Sequence, residues 1–147
     1  MFTHLLVPTD GSALSRRAVA QAVAFASQAG ARITFFTAVE SLPKVYADPG
    51  AVFGALALSE YAEGAHGVAA AMLEDAAVMA RDAGVPYRAE QAVCDAPYAA
   101  IIDAATRHEC DLIFMASHGR RGIDALLLGS ETHKVLTHSP VPVLVCR

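Results

Sequence analysis

Lysine is nearly missing from this chain: Lys44 and Lys134 are the two in 147 residues, and neither follows a glycine-rich loop. A Walker A loop needs GxxxxGK[ST], so that route to phosphate binding is excluded. The dinucleotide pattern GxGxxG is missing as well, because Gly119 and Gly122 have no GxG ahead of them. Cysteine is sparse. Cys94, Cys110 and Cys146 are odd in number and show neither CxxC nor a metal-ligand spacing. Each lies in or beside an apolar strand pattern, where cysteine acts as a small buried hydrophobe, so reduced thiols are expected. Positive charge is scarce too: 18% of residues are charged and the net charge is -4, which argues against nucleic acid or anionic lipid as a partner. Wholly apolar runs such as Val68–Leu73 fall far short of the ~20 residues that cross a bilayer, so no membrane span is expected. The first residues lack a basic start, and Pro8 and Asp10 interrupt the run Leu5, Leu6, Val7; no signal peptide is read there, and cytoplasmic residence is the default.

What the chain does have is 54% hydrophobic residues in a length that suits one domain with one substantial core, residues 1–147. Residues 2–7 form a short apolar run closed by Pro8, Thr9, Asp10, Gly11 and Ser12, which predicts a strand and a turn. Leu14, Val19, Val23 and Phe25 among alanines predict a helix over 13–29, with Ser12 as N-cap and Gly30 beyond its end. Residues 33–39 are β-branched and aromatic and predict a second strand. The stretch 41–59 contains Pro43, Pro49, Gly50 and Gly54 without a clean period and reads as an irregular connection. A helix over 60–83 and a strand over 87–93 follow. Asp95 is the N-cap candidate and Pro97 a first-turn proline for a helix reaching about His108. A strand over 111–116, a glycine-studded segment over 117–129, a helix over 130–138 and a strand over 140–146 complete the chain.

Alternation of this kind predicts an α/β fold: one open parallel sheet with right-handed crossovers and helices on both faces. Ligands of such sheets bind beyond the carboxyl ends of the strands, where the strand order reverses, and the loops after the first and fourth strands are the natural pair to flank that crevice. Pro140 and Pro142 have no backbone donor, which suits an edge strand. Its apolar Val141, Val143 and Val145 need cover, and the same strand of a second copy would supply it, so a homodimer through the C-terminal strand is expected.

The segment from Ser117 to Ser130 is the most unusual. Glycine lets backbone N–H groups turn inward and lets a ligand approach closely, and a helix N-terminus adds donors and a dipole that favour anions. Arg120 and Arg121 could add charge-assisted bonds, although consecutive side chains diverge and at most one should reach inward. Ser117 is not a nucleophile elbow, because Met115 stands where GxSxG needs glycine. His118 beside it is no base on adjacency alone. Asp10 could brace its own turn or meet a ligand, and its place at the switch point favours the ligand. Gly129 and Ser130 could be only a loop glycine and a cap, but their distance from Gly119 raises phosphate contact above that.

On these residues the chain resembles the universal stress protein family over its full length. Nucleotide-binding members carry Gly, two residues, Gly, nine residues, then Gly-Ser or Gly-Thr; here Gly119, the nine residues 120–128, and Gly129 with Ser130 match, and Ala116 takes the place of the first glycine. The runs Val7–Ser12 and Pro140–Val145 resemble the family's first strand with its turn and its closing strand. The resemblance implies a five-stranded parallel sheet of order 3-2-1-4-5, a homodimer, and binding of ATP or a related adenine nucleotide (AMP or ADP). It places Asp10 and the backbone of Val39 near adenine and ribose, with Pro8 and Thr9 also among the nucleotide-binding residues. Ala116, Gly119, Arg120, Gly129 and Ser130 would surround the phosphates, with Ser117, His118, Gly122, Glu131 and Thr132 nearby. Mg²⁺ is compatible with such phosphates, but no dedicated carboxylate cage is offered for it.

The expected role is therefore a cytoplasmic stress-response protein in which the nucleotide is a regulatory ligand, since no lysine, convincing general base or metal-binding carboxylate set accompanies the cradle. A slow ATPase, with His118 or Asp10 orienting water and Arg120 stabilising charge, is one alternative. A dimeric interaction module without nucleotide affinity is the other.

Overall fold

The computed structural model describes residues 1–41, 54–119 and 128–147. The expectations for 42–53, and for Arg120, Arg121 and Gly122, lie outside the described residues. The described elements are β1 (His4–Pro8), α1 (Ala13–Ala29), β2 (Arg32–Glu40), α2 (Ala55–Asp82), β3 (Tyr87–Cys94), α3 (Pro97–Arg107), β4 (Leu112–Ala116), α4 (Ser130–His138) and β5 (Val143–Cys146). They form one parallel sheet of order β3-β2-β1-β4-β5. The strand order reverses between β1 and β4, as the α/β reading requires.

Side-chain alternation along the strands builds two cores from one sheet. Leu5 and Val7 of β1, Ile33 and Phe35 of β2, and Leu112 and Phe114 of β4 pack with α1 and α2 on one face. Leu6, Phe36, Ile113 and Met115 pack with α3 and Val135 of α4 on the other. Both faces are covered by helices, so β1 and β4 are almost continuously apolar and buried, and β2 is buried between its exposed ends Arg32 and Glu40.

Helix α1 has the bounds its pattern predicts. The Ser12 hydroxyl accepts the Ser15 N–H at 3.2 Å, and Gly30 closes the helix at φ 66° with its N–H on the Ala26 carbonyl. Three expectations are corrected. Helix α2 begins at Ala55, so 55–59 is helical and not irregular; its N-cap, Gly54, offers no side chain to announce the start. The N-cap of α3 is Ala96, without a side-chain bond, while the Asp95 carboxylate pairs with the Ser41 hydroxyl. Strand β5 begins at Val143 and not at Pro140, because neither proline has an N–H to give to a ladder. Among the described residues no helix is long and apolar enough to cross a membrane.

Candidate functional site

The site is built where β1 and β4 end. Pro8 is in register with Phe36, and the Thr9 N–H extends the ladder to the Phe36 carbonyl at 2.9 Å. The Thr37 hydroxyl donates to the Thr9 carbonyl at 3.0 Å, and the Thr9 and Ser15 hydroxyls share a bond of 2.7 Å. Thr9, Ser15 and Thr37 are all buried. With Thr9 held this way the chain turns at once. The Asp10 N–H donates to Ser15 Oγ at 3.2 Å, the Ser12 N–H donates to Asp10 Oδ1 at 3.0 Å, and Gly11 takes φ +74° between them. This Asx turn fixes the direction of the Asp10 carboxylate before any ligand arrives.

On the neighbouring strand Ala116 is the last residue of β4, in register with Cys146. Its backbone needs no glycine: among the described residues Glu109, at φ 54°, is the only non-glycine in the left-handed region. The methyl at position 116 therefore brings no backbone strain. Beyond it the buried Ser117 gives its N–H to the Cys146 carbonyl at 2.7 Å and shares a side-chain bond of 3.2 Å with His118 Nδ1.

The start of α4 is fastened to the same place. The Gly129 N–H donates to the Ser117 carbonyl at 2.8 Å, and the buried Thr132 hydroxyl donates to the Ala116 carbonyl at 3.1 Å. Gly129 lies so close to the strand end that a Cβ there would stand 3.0 Å from the His118 Cα. Its neighbour across the crevice is tighter still. A Cβ on Gly119 would stand 2.2 Å from Asp10 Oδ2. The two loops therefore meet.

Pro8, Thr9, Asp10, Ala116, Ser117, His118, Gly119, Gly129 and Ser130 thus fall in one region at the carboxyl end of the sheet. Val39 stands on the next strand, buried and in register with Val93. Thr132 and Glu131 have partners within the protein: the Thr132 hydroxyl is on β4, and the Glu131 carboxylate reaches α3 and Lys134. Gly129 caps α4 without a side-chain bond, and the first N–H groups of any helix lack intrahelical partners, so this end suits an anion. Sequence reasoning passed over Ser15 and Thr37, which brace the turn. The run Thr9, Asp10, Gly11, Ser12 with a second serine at 15 was the one local signal; nothing local announced Thr37.

The other chemistries are less well served. Among the described residues no group of three or more His, Cys, Asp or Glu is placed to hold a metal ion. Burial pushes the Cys110 thiol up to about 11 and also raises Cys94 and Cys146, which makes all three poor nucleophiles near neutral pH.

The family model described as the universal stress protein family matches residues 1–147. A universal stress protein of Thermus aquaticus, named for its place in the QAH/OAS sulfhydrylase 3' region, is 35% identical, and the match covers 100% of both chains. The solved universal stress protein UspA from Lactobacillus plantarum is 30% identical with a TM-score of 0.77, covering 99% of this chain and 98% of that one. A solved universal stress protein in complex with cAMP is 26% identical with a TM-score of 0.69, covering 99% and 97%. With sequence and sheet topology agreeing from end to end, the chain belongs to the universal stress protein family.

Proposed function

We propose that this chain binds an adenine nucleotide, ATP or its relatives AMP and ADP, as a regulatory ligand between the β1–α1 turn and the start of α4. The observation that carries the reading is the contact of Gly119 with the Asp10 carboxylate, which joins the two loops into one seat. Asp10, an oriented acceptor, suits the hydroxyls of a ribose. The donors and dipole at the start of α4 suit phosphate oxygens. A relative of this fold at 26% identity is seen with cAMP, which is consistent with that assignment. Any Mg²⁺ would ride on phosphate oxygens and water, since the described residues around the seat supply no carboxylate cage. The role is regulatory and cytoplasmic: occupancy selects a conformation or a partner, and a homodimer forms through the outer edge of β5.

Isothermal titration with ATP, ADP and AMP, each with and without Mg²⁺, tests the reading. Saturable heat with at least one nucleotide, weakened by Asp10→Ala, is the expected result. No heat with any of the three would overturn it.

A further inference from the structure

Glu131 sits in the first turn of α4, yet its two carboxylate oxygens are engaged by other groups. Oε2 accepts the Tyr98 N–H at 2.8 Å, and Oε1 accepts Lys134 Nζ at 2.9 Å. The Tyr98 N–H belongs to the first turn of α3, where Ala96 provides no side-chain cap. Glu131 therefore satisfies from 33 positions away a donor that α3 leaves open. Lys134 completes the clasp: its Nζ lies 5.3 Å from the centre of the Tyr98 ring, whose other neighbour is the His138 ring at 5.5 Å. Two helix N-termini are joined by one carboxylate.

We propose that Glu131 is a positioning residue for phosphate: by tying the first turn of α4 to the first turn of α3, it fixes where the N–H groups of residues 130–132 point. The tie also restrains the carboxylate itself. A glutamate loose in the first turn would offer its own negative charge to the same N–H groups and compete with a phosphate for them. Held by Tyr98 and Lys134, it is engaged elsewhere. This inference rests on the nucleotide reading for its ligand and on the hydrogen bonds alone for the tie.

The test compares Glu131→Ala and Glu131→Gln with the unaltered chain, using titration with AMP and with adenosine, and amide hydrogen exchange. Glutamine keeps an acceptor for the Tyr98 N–H and alanine does not. For AMP the expected result is roughly three- to tenfold weaker binding in Glu131→Ala and rescue to within about twofold in Glu131→Gln. Adenosine, with no phosphate, should bind all three alike, which a general structural defect would not allow. Exchange at Tyr98, whose N–H the Glu131 carboxylate accepts, should be faster in Glu131→Ala only. Equal effects of alanine and glutamine on AMP, or equal losses for AMP and adenosine, would overturn the positioning role. If the unaltered chain takes neither ligand, the nucleotide reading fails, and unchanged exchange in Glu131→Ala would separately dispose of the tie.

Discussion

The carboxylate of Asp10 rests against the Cα of Gly119, with Oδ2 only 2.2 Å from where a Cβ would stand. No side chain fits between them. Gly119→Ala must therefore displace Asp10 or open the loop. It should weaken adenine-nucleotide binding about tenfold or more while altering stability by less than about 1 kcal/mol, because both residues sit at a loop rather than in the core. A double-mutant cycle with Asp10→Ala checks the cause: the two losses should be strongly non-additive. Additive losses would show that the residues act separately.

Gly11 supports the other side of the same turn. Its φ is +74°, and a Cβ there would stand 3.0 Å from Met72 Cγ, whereas a Cβ on Gly84, at φ +67°, would meet nothing among the described residues within 4 Å. Gly84→Ala should cost only the backbone penalty, roughly 1 kcal/mol. Gly11→Ala should cost that and about 1 kcal/mol more for moving Met72. Urea unfolding of both variants measures the difference, and Met72→Ala in the Gly11→Ala chain should recover part of it.

At the amino end of the sheet the buried His4 ring bonds Thr34 Oγ1 at 2.8 Å through Nε2, and its Nδ1 has no partner among the described residues. Burial, with Arg32, Arg88 and His108 adding like charge, lowers its pKa from 6.5; Asp111 opposes them. The unfolded chain thus takes up the proton first. Stability falls as pH drops below about 6.5 and levels off once the folded-state pKa is passed. Glu90, held low by Arg107 and His108 against its partial burial, behaves as a depressed carboxylate, and so does Asp111, where donors from Thr3 and His4 outweigh burial. Their contribution is present at neutral pH and lost as pH falls below about 4.5 for Glu90 and about 3.8 for Asp111. Thermal unfolding of the native chain and His4→Gln at pH 7.5, 6.5 and 5.5, about the range where histidine titrates, should show the steeper decline in the native chain. Parallel declines would clear His4 of the effect.

The outer edge of β5 gives the fourth prediction. The Pro142 and Cys146 carbonyls accept bonds from Ile113 and Ser117 of the β4 side, so the N–H groups of Val143 and Val145 face away from the sheet. Val145→Pro removes one outward donor and leaves the β4 ladder intact. If copies pair along this edge, sedimentation at micromolar protein should change from a dimer in the native chain to a monomer in the variant. A monomer in both would remove the pairing.

How much of this was legible from the residues alone depended on range. Helix α1 was readable to the residue because Ser12 and Gly30 both signal locally, through a hydroxyl and a left-handed φ. The start of α2 was not, because its glycine cap offers no side-chain signal and the run Ala, Leu, Ala, Leu after it shows no helical period. Asp95 offered the right chemistry for a cap, but Ser41, 54 positions away, took its carboxylate. At the site, the spacing of Gly119 from Gly129 and Ser130 gave the neighbourhood. What each glycine touches, and the bond from Glu131 to Tyr98, depend on contacts across the fold that no local pattern encodes.

One bond joins the seat to the rim of the molecule. The Ser117 N–H, two residues before Gly119, ends on the carbonyl of Cys146 in the outermost strand. A neighbour that straightened or shifted that strand would move the floor of the cradle directly. By reciprocity a ligand settling on the cradle would change the strand's readiness to accept a neighbour. If copies pair along this strand and the proposed nucleotide binds, ligand affinity should vary with protein concentration, and self-association would tune how much ligand is held.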